Sequence, residues 1–113
     1  MFIVDITKRV ANMVTKELLN IARAYSDSLQ EFFDIECVYL FGSCVVRENW
    51  DSEIDIAVVS KDFTSNIVSD RLKLMRIRRQ VDTRIEPHPI NIKDFTLENA
   101  FAVSIIETGI KIS

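Results

Sequence analysis

The amino-acid sequence predicts an α+β fold, a mixed sheet of three to four strands flanked by helices. Three observations carry this. Apolar residues recur at steps of three and four through the first third of the chain, the period of one helix face. Two short segments rich in β-branched and aromatic residues, 37–41 and 54–59, stand on either side of a polar, turn-like stretch, as paired strands do. Helical and extended patterns then alternate to the C-terminus, which sets helices in layers against a sheet.

The elements follow in order. Residues 1–35 form a lead helical segment, with Val10, Val14, Leu18, Ile21, Ala22, Tyr25, Leu29 and Phe32 on one face. Asp5 or Thr7 supplies the cap, and the Ser26-Asp27-Ser28 cluster is a candidate break into two helices. Residues 37–112 form the core. Its first strand, 37–41, stops at Gly42. In the second, Glu53 and Asp55 alternate with Ile54 and Ile56, and the two strands pair as an antiparallel hairpin with a long loop. Residues 65–80 read as a helix with a stripe of Val68, Leu72 and Met75, Leu74 and Ile77 beside it, and Arg71, Lys73, Arg76, Arg78 and Arg79 on the remaining surface. Residues 81–86 alternate strictly and end at Pro87, which marks a third strand. Residues 95–108 form a last helix with Phe101, Ile105 and Ile106 inward and Gly109 as its stop. Residues 110–112 add a short edge strand.

A chain of 113 residues, 48% hydrophobic and 27% charged, points to one globular domain, 1–113. A net charge of −3 argues against a general affinity for nucleic acid backbone. The basic positions between Arg71 and Arg79 read first as a solvated helix face, with an acidic partner or tRNA as the alternative. Cys37 and Cys44, the two cysteines, lack metal-ligand spacing and read as reduced thiols. No apolar run approaches the length of a membrane span, and Met1-Phe2-Ile3-Val4-Asp5 lacks a basic, apolar leader. A soluble cytoplasmic protein is the expectation.

Two groups of residues suggest chemistry. Gly42-Ser43 ends a buried strand, where backbone amides next to a hydroxyl suit a phosphate, although a plain strand terminator has the same sequence. Asp51, Glu53 and Asp55 share one face of an extended segment, and alternating carboxylates can hold Mg²⁺ through hard oxygen ligands; the competing reading is a solvated strand face. Asp82 lies on a separate alternating segment with Arg84 and Glu86. A carboxylate from there completes a two-metal phosphoryl-transfer site, or it forms an ordinary surface pair with Arg84. His88, between two prolines, reads as a loop or strand-end residue. Trp50 reads as packing, with base stacking as the alternative.

Together these motifs form a pattern. Val38-Tyr39-Leu40-Phe41-Gly42-Ser43, followed by Asp51-Ser52-Glu53-Ile54-Asp55-Ile56-Ala57-Val58, resembles the minimal nucleotidyltransferase (MNT) proteins of the polymerase-β-type superfamily. Their pattern runs LFGS and then, after a loop, SDIDL. Residues 81–89 are similar to the third-acid strand of one branch of that family. The resemblance covers about residues 37–112. It implies that the fold is a small nucleotidyltransferase fold, with Gly42 and Ser43 holding a triphosphate, Arg47 as the displaced basic residue of the loop, and Glu53, Asp55 and Asp82 as catalytic metal ligands converging near Ser43. Glu86 is the substitute for Asp82. The implied reaction transfers a nucleoside monophosphate from a nucleoside triphosphate, ATP first among candidates, to an acceptor hydroxyl with one or two Mg²⁺ ions. By the same resemblance the chain is the antitoxin half of a pair whose partner is an all-helical HEPN protein; a homo-oligomer through the first or last helix is a further option. Two departures stand out. Glu53 replaces the family's usual Asp, moving the carboxylate by about 1.5 Å. The segment Cys44-Val45-Val46-Arg47-Glu48 lacks the Ala-Arg-Gly or Ala-Lys-Gly that often follows the Ser. The alternative they favour is a degenerate MNT-fold binding or neutralising module.

Overall fold

Leu18, Ala22, Tyr25 and Leu29 fall on one stripe of helix α1 (Lys16–Gln30), and all four are buried. The structure is a computed structural model that describes residues 16–46, 53–64 and 66–113; Asp5, Thr7, Val10 and Val14 lie outside these. The Ser26-Asp27-Ser28 cluster does not break α1. Ser28 Oγ donates to Ala24 O at 3.0 Å, the i−4 bond that lets a serine remain in a helix, and Ser26 is buried with its hydroxyl 2.9 Å from that of Ser113. The stripe does not extend to Phe32. The helix ends at Gln30, and Phe32 is 64% exposed.

The remaining elements are β1 (Ile35–Phe41), a one-turn helix α2 (Ser43–Val46), β2 (Ile54–Ser60), α3 (Ile67–Arg78), β3 (Ile85–Asn91), a 3₁₀ turn (Ile92–Asp94), α4 (Ala100–Thr108) and β4 (Ile110–Lys111). The strands form one mixed sheet in the order β3-β2-β1-β4. β1 runs antiparallel to both β2 and β4, and β3 runs parallel to β2 across α3. This is the α+β sheet and the antiparallel hairpin that the sequence predicts. Val38, Leu40, Ile56 and Val58 face α1 and α3, forming the larger core with Tyr25, Leu29, Leu74 and Ile85. Cys37, Ala57, Val59 and Ile90 face the other way, towards Ile105 of α4. The Tyr25 hydroxyl reaches Leu74 O at 2.8 Å, which ties α1 to α3 inside the larger core.

Three expectations shift. First, residues 81–84 are turn, and the strand starts at Ile85 and runs through both prolines. Arg84 O accepts from Ile54 N at 2.9 Å, so carbonyls and amides of residues 84, 86, 88 and 90 point at β2 while those of 85, 87 and 89 point outward. Pro87 and Pro89 therefore leave no ladder bond unmade on this edge strand. Arg78 Nη1 donates to the outward carbonyl of Ile85 at 2.7 Å.

Second, α3 turns a different face to the core. Val68 and Leu72 are 66% and 51% exposed, while Asp70 and Leu74 are buried. Asp70 sets that rotation by accepting from Thr64 N at 2.7 Å and Thr64 Oγ1 at 3.2 Å. Third, α4 begins at Ala100, capped by Asn99 Oδ1. It buries Ala102 and Ile105, whereas Phe101 and Ile106 are exposed. Gly109 ends α4 with extended backbone, φ −87° and ψ 175°. A Cβ there would lie 2.6 Å from Ile105 O, so close approach, not handedness, calls for glycine at this stop. Among the described residues no helix is long and apolar enough to cross a membrane.

Candidate functional site

β2 is an inner strand of the sheet, between β1 and β3, and is buried at every position except Asp55. Its carboxylate is 21% exposed. In register, Phe41 of β1 and Glu86 of β3 stand on either side of Asp55, and the next row on the same face is Tyr39, Ala57 and His88. The small side chain of Ala57 leaves His88 room to lean back towards Asp55, and His88 Nε2 lies 3.0 Å from Asp55 Oδ1. Phe41 meets the imidazole edge-on at 5.1 Å, and Phe101 of α4 meets Phe41 edge-on at 5.7 Å. Asp55 is thus framed by an aromatic wall on one side and a partner base on the other.

Gly42 closes the site from β1. Its φ is +83°, a left-handed conformation that favours glycine. A Cβ built there would lie 2.4 Å from Asp55 Oδ2 and 3.2 Å from its Cγ. Backbone and carboxylate therefore pack directly against each other. Ser43 is exposed at the start of α2, while Cys44 and Val45 turn inward. Cys44 Sγ donates to Phe41 O at 3.3 Å. Burial pushes both the Cys37 and Cys44 thiols up, so neither is a thiolate at neutral pH.

The three predicted acids are placed differently. Glu53 is exposed immediately before β2, two residues ahead of Asp55. Asp82 lies in the turn before β3, three residues short of Ile85. Both its oxygens are taken by Arg84: Oδ1 accepts from Arg84 N at 2.8 Å and Nε at 3.1 Å, and Oδ2 accepts from Nη2 at 2.8 Å. This is the Asp82–Arg84 pair that the sequence offered as the alternative. Glu86, not Asp82, stands directly opposite Asp55, and its carboxylate is ion-paired with Arg71 of α3. Among the described residues no group of three or more His, Cys, Asp or Glu side chains is arranged to hold a metal ion. Arg47, Trp50 and Asp51 lie outside the described residues.

The Arg84 guanidinium hydrogen-bonded to Asp82 holds that carboxyl below its ordinary pKa of 3.8. A lowered folded-state value means that the ionised carboxylate stabilises the fold at any pH above the unfolded value, and that this is lost as pH falls through the folded value. Asp82→Asn is therefore expected to be less stable than the wild type at pH 7 and to converge with it in acid, as read from urea unfolding at a series of pH values. A constant difference across that range would contradict the pairing.

His88 and Arg71 are the partners of Asp55 and Glu86 to which the sequence reading gave no role in the site. Placing the third strand at 81–86 left His88 beyond it, as a loop or strand-end residue. The alternation of polar Glu86 and His88 with Pro87 and Pro89 carried the signal, because an edge strand with both prolines outward puts Glu86 and His88 on one face.

Residues 24–113, most of the chain, match the family model described as Polymerase beta, Nucleotidyltransferase. No curated protein and no solved structure matches the chain.

Proposed function

The chain belongs to the polymerase-β nucleotidyltransferase family, and from that premise we propose that it transfers a nucleoside monophosphate from ATP to an acceptor hydroxyl. The observation that carries this reading is the packing of Gly42 against the Asp55 carboxylate, which joins the backbone turn after β1 to an acid on the neighbouring strand. Gly42 and Ser43 bind the triphosphate, and Arg47 adds a positive charge to the same loop. Asp55 and Glu53 offer oxygen donors two residues apart. Their chemistry fits Mg²⁺, which commonly takes one or two carboxylates and completes its shell with water and substrate phosphates. When bound, the ion neutralises charge on the transferring phosphoryl group. Glu86, in register with Asp55, replaces Asp82 as the third acid of this reading, and Asp82 is assigned to shaping the turn that starts β3. His88 orients the Asp55 carboxylate. Catalysis on this plan is positioning and charge stabilisation.

A second reading is a degenerate binding module that holds nucleotide without turnover. It is favoured by the pairing of Asp55 with His88 and of Glu86 with Arg71, which satisfies both acids within the chain. On either reading, the partner of an MNT-type domain is a HEPN-type helical protein, and the exposed Ile67, Val68 and Phe101 beside His88 supply apolar contact for it.

One experiment separates the readings. Incubation with labelled ATP, Mg²⁺ and candidate acceptor proteins is followed by mass spectrometry, and Mg²⁺-ATP binding is measured separately by thermal shift. Transfer of the nucleotide is the expected result. Binding without transfer to any acceptor would leave the module, and absence of binding with an intact fold would remove both.

A further inference from the structure

We propose that the cleft where the C-terminal ends of α1 and α3 meet is a second site, which binds single-stranded nucleic acid with a base on Phe32 and phosphates on Lys73 and Arg76. The cleft has a volume of about 450 Å³ and is lined by Phe32, Phe33, Lys73, Arg76, Ile77 and Gln80, within the size range of a site for a nucleotide-sized group. Lys73, Arg76, Ile77 and Gln80 are spaced i, i+3, i+4 and i+7, so they form one stripe. Two neighbouring phenylalanines divide the work. Phe33 turns inward, its ring 5.2 Å from that of Phe63, and forms part of the floor. Phe32 is 64% exposed and presents a free face.

The charges on α3 are divided in the same way. Arg71 is paired with Glu86, and Arg78 donates to Ile85 O. Lys73 and Arg76 form no ion pair among the described residues, and both are exposed. A purely apolar partner would bury these two cations without compensation. An acidic peptide would neutralise them but leave the Phe32 face unused. A nucleic acid strand satisfies both, because bases stack on an aromatic ring while backbone phosphates track adjacent cations. The cleft lies on the side of the sheet that carries α1 and α3, whereas Asp55, Glu86 and His88 project from the other. The proposal therefore does not depend on the transfer reaction.

The test uses the full chain and a fluorescein-labelled single-stranded oligouridylate of about ten nucleotides, within the span that one small domain covers, read by fluorescence anisotropy. Phe32→Ala, at an exposed position, is expected to weaken binding about tenfold or more. The pair Lys73→Gln and Arg76→Gln is expected to reduce the slope of log affinity against log salt by about 1.4, the value for two phosphate contacts on a single strand. Binding is expected to persist in Asp55→Asn, which disables the other site. Wild-type affinity in Phe32→Ala, or loss of binding in Asp55→Asn, overturns the proposal. So does equal affinity for a polyglutamate peptide, or for a free nucleoside monophosphate in place of the strand.

Discussion

Asp55→Asn is expected to lower nucleotidyl transfer by about a thousandfold or more and to remove the rise in melting temperature expected of the wild type with Mg²⁺-ATP. The magnitude follows from what the position does. Asp55 is the one carboxylate that β2 carries, and it faces the Gly42 backbone where the triphosphate is proposed to lie. An amide at this position keeps the shape and a hydrogen-bonding oxygen towards His88, so the fold is preserved. It loses the negative charge and with it the affinity for a divalent cation. Removing one group whose charge acts on a transferring phosphoryl group is worth several kcal/mol in the transition state, and about 4 kcal/mol corresponds to the thousandfold loss. Urea unfolding distinguishes a chemical effect from a structural one. Transfer within tenfold of wild type, with an unchanged unfolding curve, would show that Asp55 is not the acid on which the reaction depends.

The positions that the sequence revealed and those that it concealed differ for physical reasons. The hairpin was legible because residues 37–41 and 54–59 are buried on both faces, which imposes near-continuous β-branched and aromatic runs. Gly42 was legible because only a left-handed turn or a close approach calls for glycine at the end of such a strand. The turn at Asp82 was not legible. Residues 81–86 alternate as a strand does, yet Asp82 is held in a turn by its own neighbour Arg84, a local bond that competes with strand pairing. Nor was the buried face of α3. Hydrophobicity pointed to Val68 and Leu72, but Asp70 is hydrogen-bonded to Thr64 and drawn into the interior. A buried, satisfied carboxylate has no hydrophobic signal. His88 was hidden by the prolines around it, which read as loop residues until the edge position of β3 shows that their missing amides face outward.

Gly42→Ala is expected to destabilise the fold by about 1–3 kcal/mol and to abolish Mg²⁺-ATP binding. Two separate effects contribute. An alanine held at φ +83° carries the strain of a sparsely populated backbone region. Its Cβ would also sit 2.4 Å from Asp55 Oδ2, well inside contact distance, so the carboxylate must swing away and break its bond to His88. The two effects can be separated by a double-mutant cycle. In an Asp55→Ala background the carboxylate is gone, and what remains is the backbone strain and a Cβ–Cβ approach of 3.3 Å. Gly42→Ala is therefore expected to destabilise the Asp55→Ala protein by clearly less than it destabilises the wild type. The difference, read from urea midpoints at constant m-value, measures the contact between the loop glycine and the acid. An identical loss in both backgrounds would mean that the glycine serves the turn alone. The juxtaposition of phosphate turn and carboxylate would then lose its claim to be the core of the site.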